Sequence, residues 1–124
     1  MYNYSHNVIL PAPVLPIEIS TPFTPDLRLQ KIALIDSGAD ISGLPPSVID
    51  ELSLNPIREE QIQGSTGIDI RPIYAVNILF HGTSFSNLSV MGMSGEDFIV
   101  IGRDILNSFH ICLDGFNEVA TIKD

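Results

Sequence analysis

The sequence predicts a mainly β domain, and three observations point to it. From Leu27 onward, short apolar runs rich in Ile and Val recur, each closed by Gly, Asn, Asp, Ser or Pro, as strands punctuated by turns are. Hydrophobic residues make up 44% and charged residues 17%, the composition of a folded chain. Helical periodicity is confined to two brief stretches. With 124 residues the chain is long enough to bury one core and too short for two, and it shows no internal repeat, low-complexity tract or linker.

Taken in order, residues 1–26 read as an N-terminal extended arm followed by a first strand, and residues 27–124 as the main domain. Pro11, Pro13, Pro16 and Pro22 interrupt the first part, so its opening segment is expected to be extended and poor at internal pairing. Candidate strands cover 14–20, 29–35, 41–44, 57–63, 68–80, 84–91, 98–101, 110–113 and 119–122. Pro45, Pro46 and Ser47 ahead of Val48, Ile49 and Leu52 can start a short helix, because a first turn has no use for the missing proline donor. A second short helix is expected at 104–109, with Ile105, Leu106 and Phe109 on one side.

Fifteen acidic residues against six basic ones give a formal charge of -9, which repels nucleic acid phosphates and anionic membrane, so neither is expected as a partner. The single cysteine, Cys112, has no internal disulfide partner, and beside Ile111 and Leu113 it reads as a buried filler. Nothing at the N-terminus combines basic residues with a long apolar run and a small-residue cleavage site. No apolar stretch approaches the roughly 20 residues that span a bilayer. A soluble, reducing location, the cytoplasm, is therefore expected. His6, His81 and His110 are scattered without ligand spacing, and Asp36 with Asp40 is a weak pair for a cation, so neither metal nor cofactor is expected.

The chemistry concentrates in Ala33-Leu34-Ile35-Asp36-Ser37-Gly38-Ala39-Asp40-Ile41, where an apolar strand delivers an acid into a Ser-Gly turn. Alone this is the composition of many ordinary turns. Its weight comes from two further segments in sequence. Gln63-Gly64-Ser65-Thr66-Gly67 lies between Ile-rich runs and suits a hairpin loop, and Val100-Ile101-Gly102-Arg103-Asp104 leads into the second helix.

From about residue 27 to residue 122 these features, in this order and spacing, resemble the retropepsins, the single-domain aspartic peptidases of retroviruses and their cellular and bacterial relatives. The resemblance implies an all-β, closed acid-protease barrel with a flap hairpin and one short C-terminal helix, functional as a two-fold dimer. It implies that Asp36, Ser37 and Gly38 are the catalytic triplet, with Ala39, Asp40, Gly102, Arg103 and Asp104 supporting the site. In it Ser37 bonds across the dimer axis and Asp40 pairs with Arg103 beneath the site. Gln63, Gly64, Ser65, Thr66 and Gly67 would form the flap over a peptide or protein substrate. Pepstatin-type inhibitors are expected to bind. The tail from His110, with Asp114-Gly115 as a turn between two strands, is more like the cellular relatives, and the retroviral N-terminal strand has no clear counterpart.

Hydrolysis without a metal or covalent nucleophile needs one group to deprotonate water and another to protonate the substrate. A lone aspartate with an ordinary pKa of about 3.9 is ionised at neutral pH and cannot be both. Two carboxylates that share a site hold one proton between them, the aspartic-protease dyad being the standard example. The chain has a single Asp-Ser-Gly triplet, so the second acid must come from a second copy across a two-fold axis. Two other readings stay open at this stage: a silent peptide-binding or dimerisation module of the same fold, and an unrelated small acidic β domain.

Overall fold

A computed structural model describes the chain apart from residues 8, 9, 25, 26, 65, 96 and 124. Ser65, at the tip of the expected flap, thus lies outside the described residues.

The strands are β1 (Tyr2–Asn3), β2 (Val14–Ser20), β3 (Arg28–Ile35), β4 (Gly43–Leu44), β5 (Arg58–Gly64), β6 (Gly67–Phe80), β7 (Thr83–Gly92), β8 (Ile99–Ile101), β9 (His110–Asp114) and β10 (Val119–Lys123). Two short helices, α1 (Pro46–Glu51) and α2 (Arg103–Leu106), follow β4 and β8. Neither is long and apolar enough to cross a membrane.

One sheet has the order β2-β3-β8-β4-β7-β6-β5, and an extra β2–β6 pairing closes six of these strands into a barrel with β5 outside the closure. Alternation explains how β2 serves two neighbours. Leu15, Ile17 and Ile19 point inward and are buried, while the backbone bonds β3 along one edge and Ile78 to Phe80 of β6 along the other. The core gathers these residues with Ala33, Ile35, Val76, Ile78, Phe80, Ile99 and Ile101. Because β8 pairs in parallel with β3, Ala33, Leu34 and Ile35 lie against Ile99, Val100 and Ile101, bringing the ends of both motif strands to one place.

The second sheet, β1-β10-β9, lies outside this closure. Here two expectations are corrected. The N-terminal segment does pair internally, with Tyr2 opposite Ala120, Asn3 opposite Val119 and a lone bridge between Ser5 and Ala12. Prolines begin only at position 11, so nothing prevents the first residues from donating to β10. Cys112 is exposed and not a buried filler. In β9 the alternation turns Ile111 toward the core and Cys112 to the opposite face, beside Thr121 of β10.

The second helix is also shorter than its expected span. After Leu106 the chain tightens through bonds from Ser108 N to Ile105 O and from Phe109 N to Leu106 O, three-residue steps in place of four. Asn107 and Ser108, poor helix-interior residues, occupy this turn.

Candidate active site

Asp36 follows the last residue of β3, and its amide donates to Ile101 O at 3.0 Å, extending the β3–β8 ladder by one bond. The chain then turns sharply. Gly38 N donates to Asp36 Oδ1 at 2.9 Å and Ala39 N to Asp36 O at 3.2 Å, which fixes the carboxylate against its own loop. A Cβ on residue 38 would stand 3.2 Å from that carboxylate oxygen, tighter than ordinary contact. Asp36 is partly exposed, whereas Ser37 and Gly38 are open to solvent.

The loop is held from below by α2. Arg103 donates from Nη1 to Ser37 O at 2.8 Å and from Nη2 to Asp40 Oδ1, while its amide bonds Ala39 O at 2.9 Å. One planar guanidinium therefore grips a carboxylate and a carbonyl together. Both side chains of the Arg103–Asp40 pair are substantially exposed, so its contribution lies in positioning more than in stability. Gly102 lies against the backbone of the loop: an added Cβ would fall 2.9 Å from Ala39 O and 2.9 Å from the Ile41 carbonyl carbon.

Sequence reasoning missed Ser42. This residue is completely buried. Its Oγ donates to Asp104 Oδ1 at 2.7 Å and accepts from Gly102 N at 3.0 Å, while its amide donates to Asp104 Oδ2 at 2.9 Å. Asp104 thus acts as a clamp between the loop and α2. No local pattern reveals this, because the partners lie 62 residues apart. Ser42→Ala removes a buried donor from a carboxylate and an acceptor from the Gly102 amide. We expect a cost of about 2 kcal/mol in urea unfolding, since hydrogen bonds to charged groups are the strong ones; a change within about 0.5 kcal/mol would mean that the clamp is dispensable.

In front of Asp36 opens a cavity of about 630 Å³. Leu34, Ile41, Ile62, Met91, Met93 and Val100 give it apolar walls, and Asp36, Asp40 and Glu60 its charge. Asp40 is held by Arg103 and Glu60 by Arg58 at 2.9 Å, whereas among the described residues no cation pairs with Asp36. Met93 packs over Gly43, where a Cβ would collide with its thioether, so the glycine makes room for the cavity wall.

The β5–β6 hairpin stands at this cavity. Gly64 pairs with Gly67, which has φ +126°, a backbone state that glycine adopts without penalty. Gln63, Gly64, Thr66 and Gly67 are exposed at its end, while Glu60 and Ile62 carry the strand to the cavity wall. None of Glu60, Ile62, Met91 and Met93 is expected at the site from the sequence; the first three fall in the expected strands 57–63 and 84–91, and Met93 in no expected element.

No family profile and no curated protein sequence matches the chain. Solved structures do. The protease of EIAV, in complex with an inhibitor, superposes with a TM-score of 0.57 at 22% identity, over 84% of this chain and 92% of that one. The retropepsin-like aspartic protease of Rickettsia conorii gives 0.59 at 12% identity, over 91% of this chain and 82% of its own. The fold is retropepsin-like. The solution structure of simian foamy virus protease extends the likeness, with a TM-score of 0.53 at 20% identity over 75% of this chain and 92% of that one. Identities this low speak for the retropepsin-like fold alone. A fold of this kind does not by itself fix a chemistry, which depends on Asp36 and its surroundings.

Proposed function

We propose that the protein is an aspartic endopeptidase, in which the Asp36 carboxylates of two identical chains activate a water for attack on a peptide bond. The observation that carries this reading is the state of Asp36 within the cavity. It is fixed by a backbone amide and faces the cavity, and the other two carboxylates there are each committed to an arginine. Asp40 and Glu60 each have an arginine beside them, which favours their ionised forms and makes them poor proton donors to Asp36, and the better partner is the Asp36 of a second copy. Asp36 then takes the water's proton, while the proton shared by the pair goes to the carbonyl oxygen or the leaving amine.

The surroundings support an extended peptide as substrate. Apolar walls suit apolar side chains on either side of the scissile bond, and a hairpin over the cleft can exclude water and donate backbone bonds. Ser37, exposed beside Asp36, is the residue to bond its counterpart across the axis. Inhibition by pepstatin-type compounds follows from the same geometry. A digest of a peptide library at mildly acidic pH, run with the wild type and with Asp36→Asn, tests the reading. Cleavage by the wild type alone supports it, and binding without cleavage by either would favour a silent peptide-binding module.

The charge adds a condition. With -9 on each chain, association is opposed by repulsion that salt screens and mild acid reduces. Sedimentation should therefore show tighter dimers, and kinetics higher activity, at raised salt or below neutral pH. A dimer that loosens on moving from pH 7 to mild acid contradicts this.

A further inference from the structure

The cavity before Asp36 carries a charge that the hydrolysis itself does not use. Arg58, Glu60 and Ile62 alternate along β5 and so share one face, and of these Glu60 and Ile62 line the cavity while Arg58 stands behind them. Charge on an edge strand commonly serves only to blunt it, and Arg58 and Glu59 would suffice for that. Glu60 differs in facing the cavity. Both contacts from Arg58, through Nε and Nη2, go to Glu60 Oε1 at 2.9 Å, and among the described residues Oε2 has no partner. Arg71, directly opposite Glu60 in the β5–β6 ladder, is turned elsewhere: its Nε meets Asp69 Oδ2 and its Nη1 donates to Ser94 Oγ, both at 2.9 Å.

We propose that Glu60 is a specificity-determining residue, which selects a lysine or arginine side chain in the peptide beside the apolar residues of the scissile bond. The proposal deepens the peptidase reading above and rests on it. A long basic side chain fits the surroundings at both of its ends. Its methylene stem can lie along Ile62, Met91 and Met93, and its cationic head can reach Glu60 Oε2. Methionine suits this role, since an unbranched thioether adapts to stems of different length. Arg58 keeps Glu60 ionised without occupying the second oxygen. A glutamate or aspartate in the same place would meet Glu60 and Asp40 with like charge, so the wall rejects acids as well as receiving bases. In a two-fold dimer each half of the cleft has its own Glu60, so the preferred peptide carries a basic residue on either side of the apolar pair.

Net charge must be separated from position, because a chain at -9 attracts any cationic peptide. The test is therefore a set of isomeric peptides, equal in composition and charge, in which one lysine exchanges places with glutamine along the flanks of a fixed apolar pair. Two isomers compete in one tube, so the dimer fraction cancels from the ratio of their kcat/KM values. The wild type should favour lysine at one position on each side of the bond by about fivefold, the upper range for a partly exposed ion pair. Glu60→Gln should flatten that profile to within about twofold, and Glu60→Lys should favour glutamate at the same positions in a matching glutamate series. A flat profile for the wild type overturns the proposal with the peptidase reading left standing, and so does an unchanged lysine preference in Glu60→Gln. Absence of Asp36-dependent cleavage of every peptide overturns both.

Discussion

Asp36→Asn is expected to lower peptide hydrolysis by about 10³-fold, the scale on which general acid–base groups contribute. The amide is nearly isosteric with the carboxylate, and its oxygen can still accept the bond that Gly38 N gives to Asp36 Oδ1 at 2.9 Å. It cannot take a proton from water. Folding should be little changed, and dimers should form at least as readily, because two neutral amides can meet at the axis without the proton that a pair of carboxylates must take up to relieve its repulsion. Rates with the best peptide from the library, alongside urea unfolding and sedimentation, separate these effects. Activity within about tenfold of the wild type would remove Asp36 from the chemistry.

Gly102→Ala should be nearly as damaging for a different reason. The added methyl meets two backbone carbonyls, at 2.9 Å from Ala39 O and at 2.9 and 3.0 Å from the carbon and oxygen of the Ile41 carbonyl. Backbone atoms cannot rotate away as a side chain can, so either the Asp36 loop or the start of α2 must move. Movement there breaks the bond from Arg103 N to Ala39 O and the Ser42–Gly102–Asp104 clamp. We expect a loss of about 3 kcal/mol in stability, the upper end for overpacking, and loss of most activity even under conditions where the variant is folded. Normal hydrolysis by a folded Gly102→Ala protein would show that the approach of α2 to the loop does not position Asp36 for activity.

Much of the fold was legible because it is written in local alternation. Val14–Ser20 is a strand in the sequence reading and in the structure, since Leu15, Ile17 and Ile19 repeat with period two and Glu18 points away. The 57–63 and 68–80 runs came out within a residue or so as β5 and β6, with the glycine-bearing turn between them. The Asp36 and Gly102 segments were readable as a pair through resemblance, and parallel pairing of β3 with β8 supplies the physical reason they meet.

What escaped depends on long-range partners. The two-residue β1 has no periodicity to display, and its strand character exists only through β10, more than a hundred residues away. Cys112 was misplaced because Ile, Cys and Leu in a row look uniformly apolar, and only the sheet's geometry decides which of the three turns outward. Ser42, an unremarkable serine in sequence, becomes the hinge-pin of the site through Asp104 and Gly102. Glu60 and Met93 join the cavity because the hairpin and the β7 end converge there, a convergence set by the barrel's closure.

The central claim, that each catalytic centre takes one Asp36 from each of two chains, is tested most directly by mixing subunits. Wild-type protein and Asp36→Asn are combined in varying ratio at fixed total concentration, allowed to exchange, and assayed for peptide hydrolysis. If both carboxylates are needed in one site, mixed dimers are inactive and the rate follows the square of the wild-type fraction, about a quarter of full activity at an equal mixture. A rate that falls in simple proportion to the wild-type fraction would mean that each chain works with its own acid alone, and would contradict the account.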